Sequence, residues 1–169
     1  EKSVERGELD CAVIAGPPTS SNIASEVIAE IEFSWMASPN RLPQGTVLTA
    51  KQFQNHPLIT STPDSGLSIA FDHLIRNQGI QTGDIITCNS LTAIIGLTVS
   101  GEGISFLPKR YVMPLVKRKL LVPIKSNPVP PLLKYSFIWR KDENRRFVSL
   151  LKDLVLEEVD FNQKNLLWS

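Results

Sequence analysis

The sequence predicts an α/β protein built around a parallel sheet, and three observations carry that prediction. Between residues 58 and 107, short apolar runs alternate with helical patterns in the order strand, helix, strand, helix, strand. Residues 9–15 are apolar with almost no alternation, as in a strand covered on both faces. Residues 88–108 read as a strand end, a polar cap at Asn89 or Ser90, an apolar helix, a Gly101-Glu102-Gly103 turn, a buried strand and a stop at Pro108. In that helix Leu91, Ile94, Ile95 and Thr98 fall at i, i+3, i+4 and i+7. Gly101 suits a left-handed C-terminal cap, since it has no Cβ to clash there.

The remaining elements follow in chain order. Residues 1–7 look like the tail of a helix stopped by Gly7, and 16–22 are a loop by composition. Residues 23–38 form an extended segment with Val27, Ile28, Ile31, Phe33 and Trp35, ended by Pro39, Pro43 and Gly45. Residues 49–53 make one helical turn, and His56-Pro57 leads into the strand 58–61. Asp64 or Ser65 caps a helix with Leu67, Phe71, Leu74 and Ile75 inward, closed by residues 77–79. A helix from Pro108 to Lys119 ends on Lys117-Arg118-Lys119, where positive charge complements the helix dipole. A strand at 120–124, a proline-rich connection at 125–131 and an extended segment at 132–140 precede a last helix at 144–159, expected to bury Phe147, Leu151, Leu154 and Val155.

Length and composition narrow the function. The 169 residues suffice for one domain or two small lobes, and 42% hydrophobic with 21% charged residues is ordinary for a globular chain. Eighteen basic against seventeen acidic residues argue against a nucleic-acid-binding surface in its own right. No apolar run approaches the roughly 20 residues needed to span a bilayer. Cys11 and Cys88 lie in strands without metal-like spacing and read as buried thiols. There is no His-Glu-x-x-His, Gly-x-Ser-x-Gly or phosphate-binding loop, so no catalytic residue, metal or cofactor is expected. His56 and His73 read as solvated or locally hydrogen-bonded, and the Lys117–Lys119 run as a solvated helix face.

Three stretches together carry a resemblance. Residues 6–14 (Arg-Gly-Glu-Leu-Asp-Cys-Ala-Val-Ile), residues 55–60 (Asn-His-Pro-Leu-Ile-Thr) and Val99-Ser-Gly-Glu-Gly-Ile-Ser-Phe-Leu-Pro108 resemble the effector-binding domain of LysR-type transcriptional regulators, in order and spacing. The resemblance covers almost the whole chain. It implies a two-lobed periplasmic-binding-protein-like (type 2) α/β fold with an incomplete first lobe, made of residues 1–35 and 132–169, and a second lobe of 36–131. It also implies a cytoplasmic protein, assembly into dimers or tetramers, no membrane contact, and DNA binding only through an N-terminal helix-turn-helix outside these residues. If the first lobe is incomplete, the strand 9–15 and the inner face of the last helix should be under-covered.

Ligands of doubly wound sheets sit beyond the carboxyl ends of the strands, where helix N-termini present unpaired N–H groups to anions. Thr62, Ser65, Asn89 and Ser90 lie at such places, although turn and cap duties alone account for them equally well. The family resemblance implies a small-molecule effector between the lobes, touched by Thr60, Ser61 and Thr62, by Gly66, by Asn89 and Ser90, by Gly16 and Pro17, and by Ser136 and Phe137 on the return strand. The effector is expected to be a small anionic metabolite. Two other readings share the fold: a secreted solute-binding protein of a transport system, and an enzyme working in the cleft. The enzyme reading requires His56, His73 and Cys88 to converge.

Overall fold

A computed structural model describes residues 1–160 except 64, 66, 67, 69, 70, 73, 74, 76–78, 128, 131, 144 and 145. The described chain divides into two compact units, one of residues 1–31 with 132–160 and one of 32–131. The expected helix positions Leu67, His73 and Leu74, the cap candidate Asp64 and the candidate contact Gly66 lie outside the described residues.

The first unit holds a three-stranded sheet in the order β1-β9-β2, from β1 (Cys11–Ala15), β9 (Leu133–Arg140) and β2 (Ile23–Ile31). Both outer strands pair antiparallel with β9. The parallel pairing expected of β1 is therefore wrong. Its partner is the return strand from the far end of the sequence, and an apolar run without alternation does not report strand direction. On one face the short helix α1 (Lys2–Glu5) sets Val4 against Ile23 and Ile138, with Ala12 and Ile14 beside them. Gly7 stops α1 at φ +74°, and the Glu8 N–H closes the turn on the Ser3 carbonyl at 2.9 Å.

Helix α5 (Arg146–Glu158) also belongs to this unit. Its inward stripe is Val148, Leu151, Lys152 and Val155, spaced i, i+3, i+4 and i+7. Val148 is 4% exposed, and Lys152 on the same stripe reaches Glu26 of β2 at 2.7 Å. The expected burial of Phe147 and Leu154 is thus corrected: they are 57% and 53% exposed. Apolar cover is thin on β1 as well, where Val13 is 46% exposed.

The second unit is a six-stranded mixed sheet ordered β4-β8-β3-β7-β5-β6. Its strands are β3 (Phe33–Ala37), β4 (Val47–Leu48), β5 (Leu58–Ser61), β6 (Ile85–Cys88), β7 (Ile104–Pro108) and β8 (Val122–Ser126). β5 lies parallel to both β6 and β7, while β3 runs antiparallel to β7 and β8. The extended segment expected over 23–38 is two strands, β2 and β3, and β8 begins two residues later than expected.

Alternation along the strands sorts side chains onto two faces. Met36, Ile59 and Leu107 pack with Ile94 and Ile95 of α3 (Leu91–Val99) and with Val112 and Leu115 of α4 (Lys109–Lys117). On the opposite face Trp35 meets Phe53 of α2 (Ala50–Asn55) at 4.9 Å, Phe106 at 5.2 Å and Phe71 at 5.8 Å between ring centroids. Such ring pairs each add about 0.5–1.5 kcal/mol beyond their buried area. Among the described residues the enclosed indole N–H of Trp35 finds no acceptor, a local cost within this cluster. Ser68, Phe71, Asp72 and Ile75 are helical, with Ser65 Oγ accepting the Ser68 N–H at 3.0 Å, so Ser65 supplies the expected cap.

Candidate functional site

The carboxyl ends of β5 and β6 lie side by side. Their parallel register pairs Thr60 with Thr87 and Ser61 with Cys88, so the chain leaves both strands at one level. There it enters Thr62 on one strand and Asn89-Ser90 on the other. Ser90 is the N-cap of α3: its Oγ accepts the Ala93 N–H at 3.4 Å and its carbonyl accepts the Ile94 N–H at 3.0 Å. The first turn of α3 carries no acidic residue, leaving an N-terminal field that favours an anion. Thr60 is 6% exposed, Ser61, Thr62 and Ser90 are half-buried, and Asn89 is exposed. These five expected residues therefore share one end of one sheet.

The far end of α3 is anchored separately. Gly101, at φ +88°, closes the helix while the Glu102 N–H reaches the Leu97 carbonyl at 3.0 Å. Arg41 donates through Nε to the Gly101 carbonyl and approaches His56 Nδ1 through a terminal nitrogen at 3.4 Å. Burial, and then the Arg41 charge, hold the His56 imidazole below its ordinary pKa. Inside the unit, Thr98 donates to the Ile94 carbonyl at 2.7 Å and meets Ser105 Oγ at 2.7 Å, tying α3 to β7. Arg41 and Ser105 carried no sequence signal, because each finds its partner only when distant segments meet.

In the first unit, Gly16 follows β1 at φ +87° and donates to the Lys134 carbonyl at 2.7 Å; Pro17 is exposed. Ser136 and Phe137 are both 2% exposed. As neighbours in β9 they face opposite sides of the sheet, so one ligand cannot meet both side chains from the same face. Phe137 packs near Trp139 at 6.0 Å. In the loop after Pro17, Thr19 and Ser20 donate their N–H groups to the Glu1 carboxylate at 2.9 and 2.6 Å. Burial works to raise the Glu1 pKa, but these bonds and the Thr19 hydroxyl outweigh it and hold the group low.

Nothing here assembles a catalytic pair from His56 and Cys88. Cys88 is level with Ser61, whereas His56 precedes β5; five extended residues separate those levels by about 16 Å. His73 lies outside the described residues. Among the described residues, no three His, Cys, Asp or Glu side chains could hold a metal ion, and no helix is long and apolar enough to cross a membrane.

The family described as the LysR substrate binding domain matches residues 1–160. By sequence, no curated protein matches the chain. Among solved structures, the regulatory domain of MetR from N. meningitidis superposes with a TM-score of 0.77 at 22% identity, covering 93% of this chain and 75% of that one. The effector binding domain of QuiR, in complex with shikimate, gives 0.76 at 17% identity over 92% and 74% of the two chains. The Synechocystis PCC6803 CcmR regulatory domain, in complex with 2-PG, gives 0.71 at 16% identity over 92% and 76%. At these identities the structures attest a shared fold. The chain belongs to the LysR substrate binding domain family and has that family's ligand-sensing regulatory role, with the α/β periplasmic-binding-protein-like type 2 fold.

Proposed function

We propose that this domain senses a small anionic metabolite at the carboxyl end of β5 and β6. Thr60, Ser61, Thr62, Asn89 and Ser90 are its polar contacts there, and the N–H groups opening α3 receive its charge. One observation carries this reading: the Ser61–Cys88 register sets two polar strand ends beside an acid-free helix N-terminus. Two structurally similar domains hold small molecules, shikimate in QuiR and 2-PG in CcmR, which accords with a ligand of that size. The role is binding without catalysis, in a cytoplasmic, self-associating regulator. The metabolite acts on it through unequal affinity for two conformations, since equal affinity shifts nothing.

The test is a thermal-shift screen of carboxylate and phosphate metabolites. A ligand at 100 times its Kd stabilises the domain by about 2.7 kcal/mol. Ser90→Ala and Thr60→Val should each abolish most of a hit's shift. A hit whose shift survives both substitutions places the ligand elsewhere and overturns the proposal.

A further inference from the structure

The near-neutral total conceals a segregation of charge. Residues 32–131 hold nine Lys and Arg against five Asp and Glu, while 1–31 with 132–160 hold eight against twelve. Within the second unit the excess gathers on α4 and just beyond it. Arg110, Lys117 and Arg118 recur at i, i+7 and i+8, on one face of the helix. Val112 and Leu115 are buried on the other face. Lys119 follows just past the helix end, and Lys125 leaves β8 on the same side of the sheet as Pro123 and Met36, the side that α4 covers. All five cations are exposed, and none makes an ion pair or side-chain hydrogen bond among the described residues. Lys109 is different, because Glu32 holds it at 2.6 Å.

Ordinary helix chemistry accounts for only part of this row. Lys117 and Arg118 complement the negative end of the helix. Arg110 sits in the first turn, where the dipole disfavours a cation, and that turn contains no acidic residue. Lys119 adopts φ +58°, the left-handed position closing α4 that glycine fills at lower cost. Two residues thus break local rules, and both are exposed cations, one at each end of α4. The Leu120 N–H closes the helix on the Leu115 carbonyl at 3.0 Å, which needs the left-handed turn but not a lysine side chain. Departures from local rules are found at functional or strained sites.

We infer that this row is a docking surface for the phosphate backbone of nucleic acid, a contact separate from the ligand-sensing reading and independent of it. The span from Arg110 to Arg118 is about 12 Å along the helix axis, which matches three to four steps of about 3.4 Å along one strand of a duplex. The cations outnumber the apolar groups beside them: Pro114, between them, is half exposed, and Leu120, next to Lys119, is 37% exposed. Phosphate contacts need no apolar anchors, whereas a protein partner would.

The experiment is fluorescence anisotropy of a labelled 20-base-pair duplex of arbitrary sequence, titrated with the 169-residue chain across a salt series. Binding at low salt is expected, with a slope of log K against log salt of about −3 to −4. Arg110→Glu and Lys119→Gly should each weaken it by about tenfold at 50 mM salt, while leaving Tm unchanged or raised. A merely structural role moves the two readouts together. No binding at low salt, or binding indifferent to both substitutions, overturns the inference. Salt-sensitive self-association abolished by Arg110→Glu, without duplex binding, also overturns it and assigns the row to an acidic face of a second copy.

Discussion

The two units cover their sheets unequally. In the second, helices lie on both faces of six strands, and Trp35, Met36, Ile59 and Ile95 are each at most 1% exposed. In the first, one helical turn reaches three strands through Val4 and α5 meets β2 through Lys152 and Glu26, while Val27 at the edge remains 48% exposed and Val13 46%. The difference shows where each unit's stability resides. The second unit is held by apolar burial on two sides. The first depends more on backbone pairing to β9 and on polar ties such as Lys152–Glu26 and Glu1–Thr19.

Paired substitutions offer the strongest way to break that comparison. Trp35→Ala should cost about 3–5 kcal/mol in denaturant unfolding, as aromatic truncations in closed cores do. Phe147→Ser, equally drastic on paper, should fall within about 0.5 kcal/mol because that ring is already in water. Comparable losses from both would mean that Phe147 is covered in solution.

Hydrogen exchange sharpens the comparison at backbone level. Amides of β3 and β7 should exchange only through wide opening, and those of β1 through local fraying, since few apolar contacts resist it. Equal protection of β1 and β7 would erase the distinction between the units.

The smallest effect concerns acid. Because the folded His56 pKa is depressed, the unfolded chain binds its proton first as pH falls. Stability tied to neutral His56 is present above its ordinary pKa near 6.5 and is lost as pH drops through the lower folded value. His56→Asn should therefore flatten the fall in Tm between pH 7 and 5. An unchanged slope would show that the Arg41 contact does not respond to that proton.

Much of the second unit was legible because its signals are local. Ser90 as a cap, Gly101 as a stop and the apolar spacing from Leu91 to Thr98 each act within a few residues of chain. The same local logic failed at α5, where Phe147 and Leu154 fit an apolar stripe as well as Val148 and Leu151 do. The ion pair of Lys152 with Glu26, 126 residues away, is part of what sets the rotation. The candidate site divides likewise. Its residue types could be read in order, whereas the register bringing Thr60–Thr62 level with Asn89-Ser90 could not.

The sequence by itself therefore determined the α/β class, the helix ends and the set of polar residues at strand ends. Those depend on backbone sterics and on hydrogen bonds within a turn or two. Tertiary structure decided that β1 runs antiparallel to β9, that Arg41 clamps Gly101 beside His56, and that the cations of α4 form one exposed row. Each of those joins groups far apart along the chain or selects one face among several. Their free energy arises only when distant surfaces leave water together.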